Sequence, residues 1–262
     1  MNVLRRGWVQ IFVGGLILLC LVEWALVATG NPNYIPSVIV LGAFLVPVTF
    51  VSYLYERLPN WDVPLRPVVI CFVWGGVLGV VVAGILEYDV ARRLGVLPTL
   101  GIGLIEEAAK LIVPLVCYFM GRYRSEAAGM GFAAFETMGY GFVSLLQSGG
   151  YLGLVDVVLL IRGLTAPAGH AAWTGLICAV LWRERLRAGR PVLNLQVGGA
   201  FLIAVILHAL WDTFTSNRSD VLFEFLGLDL LSLLVALVSL ALLIRRVHEA
   251  PRVDVQYGKH AA

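Results

Sequence analysis

The chain has 262 residues, 60% of them hydrophobic and only 14% charged, and its mean hydropathy is +0.88. Soluble domains carry about 25% charged and 45–50% apolar residues, so a soluble globular protein is excluded, as is a disordered one; a helical polytopic membrane protein remains. The net charge is +2, from 17 Arg and two Lys against 17 acids, and no basic run is interleaved with aromatics on a polar surface, so nucleic acid is not an expected partner.

A membrane span takes about 20 mostly apolar residues. Eight segments qualify: 8–29, 35–55, 68–86, 99–120, 127–146, 151–182, 193–214 and 221–244. The first follows Arg5 and Arg6 in the manner of a signal peptide, but it is too long for a signal core and reads as a retained helix. The sixth is longer than one straight span needs and contains Pro167, so a break is expected there, with a partial or re-entrant helix before it. Loops are short and no repeat appears, which predicts one integral-membrane domain over 1–262. Cys20, Cys71, Cys117 and Cys178 sit in separate apolar segments without metal spacing and read as core-filling thiols.

Flanking charges predict the orientation. With the N-terminus in the cytoplasm and an even number of spans, fourteen basic residues fall on the cytoplasmic side: Arg5, Arg6, Arg57, Arg66, Arg122, Arg124, Arg183, Arg185, Arg187, Arg190, Arg245, Arg246, Arg252 and Lys259. Arg92, Arg93 and Arg218 fall outside. Tyr55, Trp61, Tyr123, Tyr151 and Trp182 lie near span ends, as interfacial aromatics do. Gly75-x-x-x-Gly79 and the glycines at 129, 131, 139 and 141 suit close helix packing.

Other charges lie inside spans, where each costs about 2.5–3.5 kcal/mol and is by default a functional hypothesis. The fourth segment holds Glu106-Glu107-x-x-Lys110, with Lys110 three and four residues after the acids, on the adjacent turn. The ammonium neutralises one carboxylate and leaves the other. The fifth holds Glu136 and Tyr140 at i, i+4, within reach of a hydrogen bond. The sixth holds Arg162, then Pro167-x-x-His170. The seventh holds His208 and Asp212 at i, i+4, so Asp212 can orient the imidazole. Glu23 in the first span has no assigned partner. His248 and His260 are read as part of a C-terminal tail.

At 1.5 Å per residue and a ~30 Å core, Glu106 lies ~10 Å, His208 ~9 Å, His170 ~12 Å and Glu136 ~16 Å below the outer surface. Four helices thus bring polar groups to one layer in the outer half. Glu106, Glu107, Glu136 and Asp212 against Lys110 and Arg162 leave two uncompensated negative charges. A divalent cation or protonated carboxylates would meet them.

Buried Glu beside His, reached by water, suits hydrolysis. A Glu acts as general base, and His binds a metal or stabilises the oxyanion. Two His and a carboxylate suit zinc with an open position, with His170, His208 and Glu136 as the candidate ligands. The motifs HExxH and GxSxG are absent.

These residues resemble the PrsW-type intramembrane proteases. Glu106-Glu107-x-x-Lys110 is similar to the family's first motif and Gly-Phe-x-x-Phe-Glu136-x-x-x-Tyr140 to its second. Arg162 with Pro167-x-x-His170 is similar to the third, and His208-x-x-x-Asp212 to the fourth. The likeness covers roughly 101–214, within a core of 97–215; the wider superfamily includes the CAAX prenyl proteases and the anterior-pharynx-defective subunit of γ-secretase. It implies hydrolysis of a peptide bond of a membrane-anchored substrate protein, with Glu106, Glu107, His170 and His208 essential. In PrsW-type members the cut faces outward, on a membrane anti-sigma factor. It leaves a zinc enzyme and a metal-free glutamic protease both open. Where the second motif commonly has Asn after its Glu, this chain has Thr137. Two other classes stay in view: a non-catalytic scaffold or receptor of the superfamily, and a proton-coupled transporter, which would predict internal repeats. The expected location is the plasma (inner) membrane, with both termini cytoplasmic.

Overall fold

A computed structural model describes residues 5–57, 64–94, 98–120, 127–216 and 230–257. The described residues are helical, without strands, as the composition predicts. Among the described residues ten α-helices follow in order: α1 (Gly7–Thr29), α2 (Ile35–Arg57), α3 (Leu65–Leu94), α4 (Thr99–Lys110), α5 (Ile112–Phe119), α6 (Ala127–Gln147), α7 (Leu152–Thr165), α8 (Ala172–Ala188), α9 (Leu195–Ser216) and α10 (Leu230–Tyr257). Among the described residues six helical stretches are long and apolar enough to cross a membrane, against the eight segments expected. The two segments that fall short are the fourth, 99–120, and the fifth, 127–146, which is the single helix α6.

The fourth segment is two helices, not one. Pro114 lacks an N–H for the Lys110 carbonyl and its ring crowds that carbonyl. The backbone therefore turns at Leu111, whose N–H bonds the Ala108 carbonyl at 3.2 Å, one residue short of α-helical spacing. The sixth segment meets the same constraint at Pro167 with a milder outcome. A π-helical turn, Pro167–Ala171, joins α7 to α8, and the whole stretch Leu152–Ala188 stays helical. The expected break is thus a register change of the backbone hydrogen bonds. Part of the eighth segment, 221–229, lies outside the described residues, as do Trp61, Arg122, Tyr123, Arg124, Arg218, Lys259 and His260. His248 is not in a loose tail: α10 continues past it.

The chain groups into two compact units, Met1–Trp61 with Ala133–Pro167, and Asp62–Phe132 with Ala168–Ala262. In the first, Leu26, Val38, Ile39, Ala43, Val155 and Leu159 form a buried apolar cluster flanked by Phe44 and Met138. Trp8 packs edge-on against Tyr53 at 5.3 Å, and its backbone N–H donates to Glu56 Oε1, joining α1 to α2. Gly149 and Gly150, at φ 64° and 95°, make the left-handed turn between α6 and α7. Glu23 lies within electrostatic reach of Asp156 on α7.

In the second unit, α3 rests against the start of α6. A Cβ at Gly131 would collide with the Phe72 carbonyl, while Gly75 and Gly79 face Ala128 and Phe132. The paired small residues thus do what their spacing predicts. The Cys71 and Cys117 sulfurs meet at 4.0 Å as free thiols.

Candidate active site

The polar residues of the second unit converge on α4, α9 and the π-turn. Lys110 ends α4, where the helix dipole favours a cation, and its side chain is 0% exposed. Its Nζ lies 2.7 Å from Glu107 Oε1 and 3.1 Å from Glu106 Oε2. The i+3 and i+4 spacing produces both contacts at once. Phe132 covers the ammonium from 4.3 Å, adding a cation–π contact.

The helix α9 brings His208 against the same pair. A Cβ at Gly103 would press on the Val205 carbonyl and on His208, so glycine is what lets α4 approach α9 this closely. His208 Nδ1 lies 2.9 Å from Glu107 Oε1. In the tautomer protonated at Nδ1, that nitrogen is the donor. The other nitrogen, Nε2, then faces Asp212 Oδ2 at 3.4 Å and Glu106 Oε2 at 3.5 Å. The i, i+4 spacing predicts the Asp212 contact. The shorter one, to Glu107, joins positions 101 residues apart and has no local signature. Glu107 Oε2 is buried without a hydrogen-bond partner among the described residues.

His170 sits on the π-turn, its ring 5.7 Å from that of His208. Trp173 lies between them in role: it stacks on His208 at 4.6 Å and 21°, and meets His170 edge-on at 5.5 Å. Its indole N–H donates to Ser239 Oγ of α10 at 3.0 Å, with Trp173 and Ser239 both buried. Neither residue stands out in the sequence. The only clue is that Trp173 follows His170 by three, on the start of α8.

In the first unit Arg162 and Glu136 form their own group. Arg162 pairs with Glu136 Oε2 at 2.7 Å, donates through Nε to Thr137 Oγ1 at 3.3 Å, and lies 3.9 Å over the Tyr140 ring. The residue that departs from the motif, Thr137, therefore carries a hydrogen bond of the cluster. The charge tally resolves accordingly. Glu136 and Arg162 offset each other. Glu106, Glu107 and Asp212 against Lys110 leave two negative charges in the second unit when both histidines are neutral.

A family model described as PrsW family intramembrane metalloprotease matches residues 63–243. The match reaches beyond the four motifs, taking in α3 and part of α10, the helix that supplies Ser239. No curated protein and no solved structure matches the chain.

Proposed function

The chain belongs to the PrsW family of intramembrane metalloproteases, and from that premise we propose that it hydrolyses a peptide bond of a membrane-anchored protein within or near the outer half of the bilayer. The observation that carries this reading is the buried cluster of Glu106, Glu107, Lys110 and His208, in which two carboxylates gather on one ammonium beside an imidazole. A structural ion pair needs one carboxylate; a second, held ready beside an imidazole, is what hydrolysis uses.

Glu106 is the general base. Its side chain keeps slight exposure, 9%, where that of Glu107 has none, so it is the carboxylate a water can reach. It takes a proton as the water oxygen adds to the peptide carbonyl, and that proton passes to the leaving nitrogen as the C–N bond breaks. Glu107 holds Lys110 and His208 Nδ1 in place. Lys110 and Asp212 support the catalytic groups within the second unit, and Arg162, Glu136 and Tyr140 are the supporting cluster of the first.

The donors suit a divalent cation such as zinc. Imidazole nitrogen and carboxylate oxygen are its ordinary ligands, and bonds of about 2.0–2.1 Å in a tetrahedron put ligand atoms roughly 3.3 Å apart. His208 Nε2 stands 3.4 and 3.5 Å from its two carboxylate neighbours, and with Asp212 counted and the histidines neutral the group has two negative charges to offset. His208 and His170 would hold the ion, which leaves Glu106 to act as the base on the water. When bound, it would polarise the carbonyl and acidify a water. Without it, the same histidines steady the oxyanion.

The natural substrate class is a single-span protein cut at its outer face, an anti-sigma factor among them. We assign the chain as a single functional domain in the plasma (inner) membrane, both termini cytoplasmic. The test compares cells carrying the wild type with cells carrying Glu107→Gln at equal abundance, reading new protein termini by mass spectrometry. A short set of termini at the outer face of single-span proteins, present only with the wild type, is expected. Identical termini from two folded proteins would sink the protease reading in favour of a scaffold.

A further inference from the structure

A second charged cluster plays no part in the chemistry above. It gathers where α8 ends and where the apolar stretch of α10, Leu230–Glu249, runs out, within the second unit. Arg183 Nε donates to Glu184 Oε1 at 2.9 Å, and its Nη1 reaches Glu249 Oε1 at 3.7 Å. Arg187 pairs with Glu184 at 3.1 Å and Arg246 with Glu249 at 2.5 Å. Arg185 donates to the Tyr118 carbonyl and lies over the Tyr118 and Trp182 rings at 5.5 and 5.3 Å. With Arg245 included, five guanidinium groups face two carboxylates, a surplus of three positive charges.

Arg245 is exposed and makes no ion pair among the described residues. It lines a groove of about 680 Å³ along α10 with Ala241, Ile244, His248 and Glu249. These positions follow i, i+3, i+4, i+7 and i+8, which is one helix face. Along it the lining changes from hydrocarbon at Ala241 and Ile244 to cation and imidazole at Arg245 and His248. Glu249 does not repel an anion there, because Arg183 and Arg246 already offset it.

We propose that this groove binds an anionic phospholipid. The phosphate pairs with Arg245 and accepts from His248, and the acyl chain lies along Ala241 and Ile244. A free phosphate would use only the polar half of the lining; an amphiphile uses both. Basic pockets at helix ends near the membrane surface are where such headgroups bind. The inference is independent of the protease assignment.

Native mass spectrometry of the full chain released from nanodiscs of phosphatidylglycerol or phosphatidylcholine tests it. The wild type should retain phosphatidylglycerol preferentially. Arg245→Ala should weaken that retention about fivefold, Arg245→Lys should keep most of it, and Arg57→Ala on α2 should not change it. All four proteins should share one melting midpoint, since Arg245 and Arg57 are exposed. Equal retention of the two lipids, or unchanged retention in Arg245→Ala, overturns the proposal. So does sodium phosphate raising the wild-type midpoint in detergent as much as phosphatidylglycerol does, since that marks a site for free anions.

Discussion

Replacing Lys110 by Met keeps the volume and removes the charge that lets two buried carboxylates share one helix end. With an effective dielectric of about 20, contacts of 2.7 and 3.1 Å are worth roughly 6 and 5 kcal/mol before desolvation. Desolvating the ammonium takes back much of this. Loss of one partner from a buried pair nevertheless costs about 3–5 kcal/mol, because the charges left behind are uncompensated. For a chain of this size that lowers the melting midpoint by about 6–20 °C. Glu107→Gln is milder, since Lys110 retains Glu106, and the double variant should lose about 2 kcal/mol less than the sum of the two. Fluorescence-detected size exclusion after heating, on all four proteins in detergent, measures the cycle. A Lys110→Met midpoint within 2 °C of the wild type, or strictly additive losses, would refute the counterion role.

Four further outcomes are expected. Ser239→Ala leaves the buried Trp173 N–H without its acceptor, at about 1–3 kcal/mol; it should lower the kcat for peptide cleavage more than it raises KM, whereas an unchanged kcat would separate α10 from the site. Thr137→Val removes the acceptor for Arg162 Nε and should destabilise by a similar amount, while Thr137→Ser restores both stability and cleavage; a Val variant equal to the Ser one would show that the hydroxyl is idle. Dialysis against a strong zinc chelator should abolish cleavage and lower the melting midpoint, with zinc restoring both, whereas full activity at no bound metal by elemental analysis would leave the glutamic mechanism. Pro114→Ala should fuse α4 to α5, raise or preserve thermal stability, and reduce cleavage at least tenfold as Lys110 shifts; wild-type cleavage would mean the turn at Leu111 is incidental.

Most of what the sequence conveyed was local. Glu106, Glu107 and Lys110 meet because three- and four-residue spacings place them on adjacent turns of one helix face, and His208 meets Asp212 for the same reason. Composition carried the helical class. The contacts that assemble the candidate site are of another kind. Glu107 reaching His208 depends on how α4 packs on α9, and Trp173 on His208 depends on where α8 begins. Neither has a period or a motif. The division at Leu111 was legible in principle, since Pro114 announces it, but hydropathy averaged over the segment conceals a single missing N–H.

The two proline-induced irregularities explain why polar groups gather where they do. In an unbroken helix every carbonyl is bonded, and a charged side chain in hydrocarbon must find its partners elsewhere. Pro114 leaves the end of α4 open at Lys110, and the dipole of that end helps hold the ammonium. Pro167 forces the π-turn that carries His170, the kind of local register change found where a helix serves chemistry rather than span length. Each irregularity lies within four residues of a charged or imidazole side chain. The helices give up backbone hydrogen bonds at these points, and the residues set there are the ones on which the proposed hydrolysis depends.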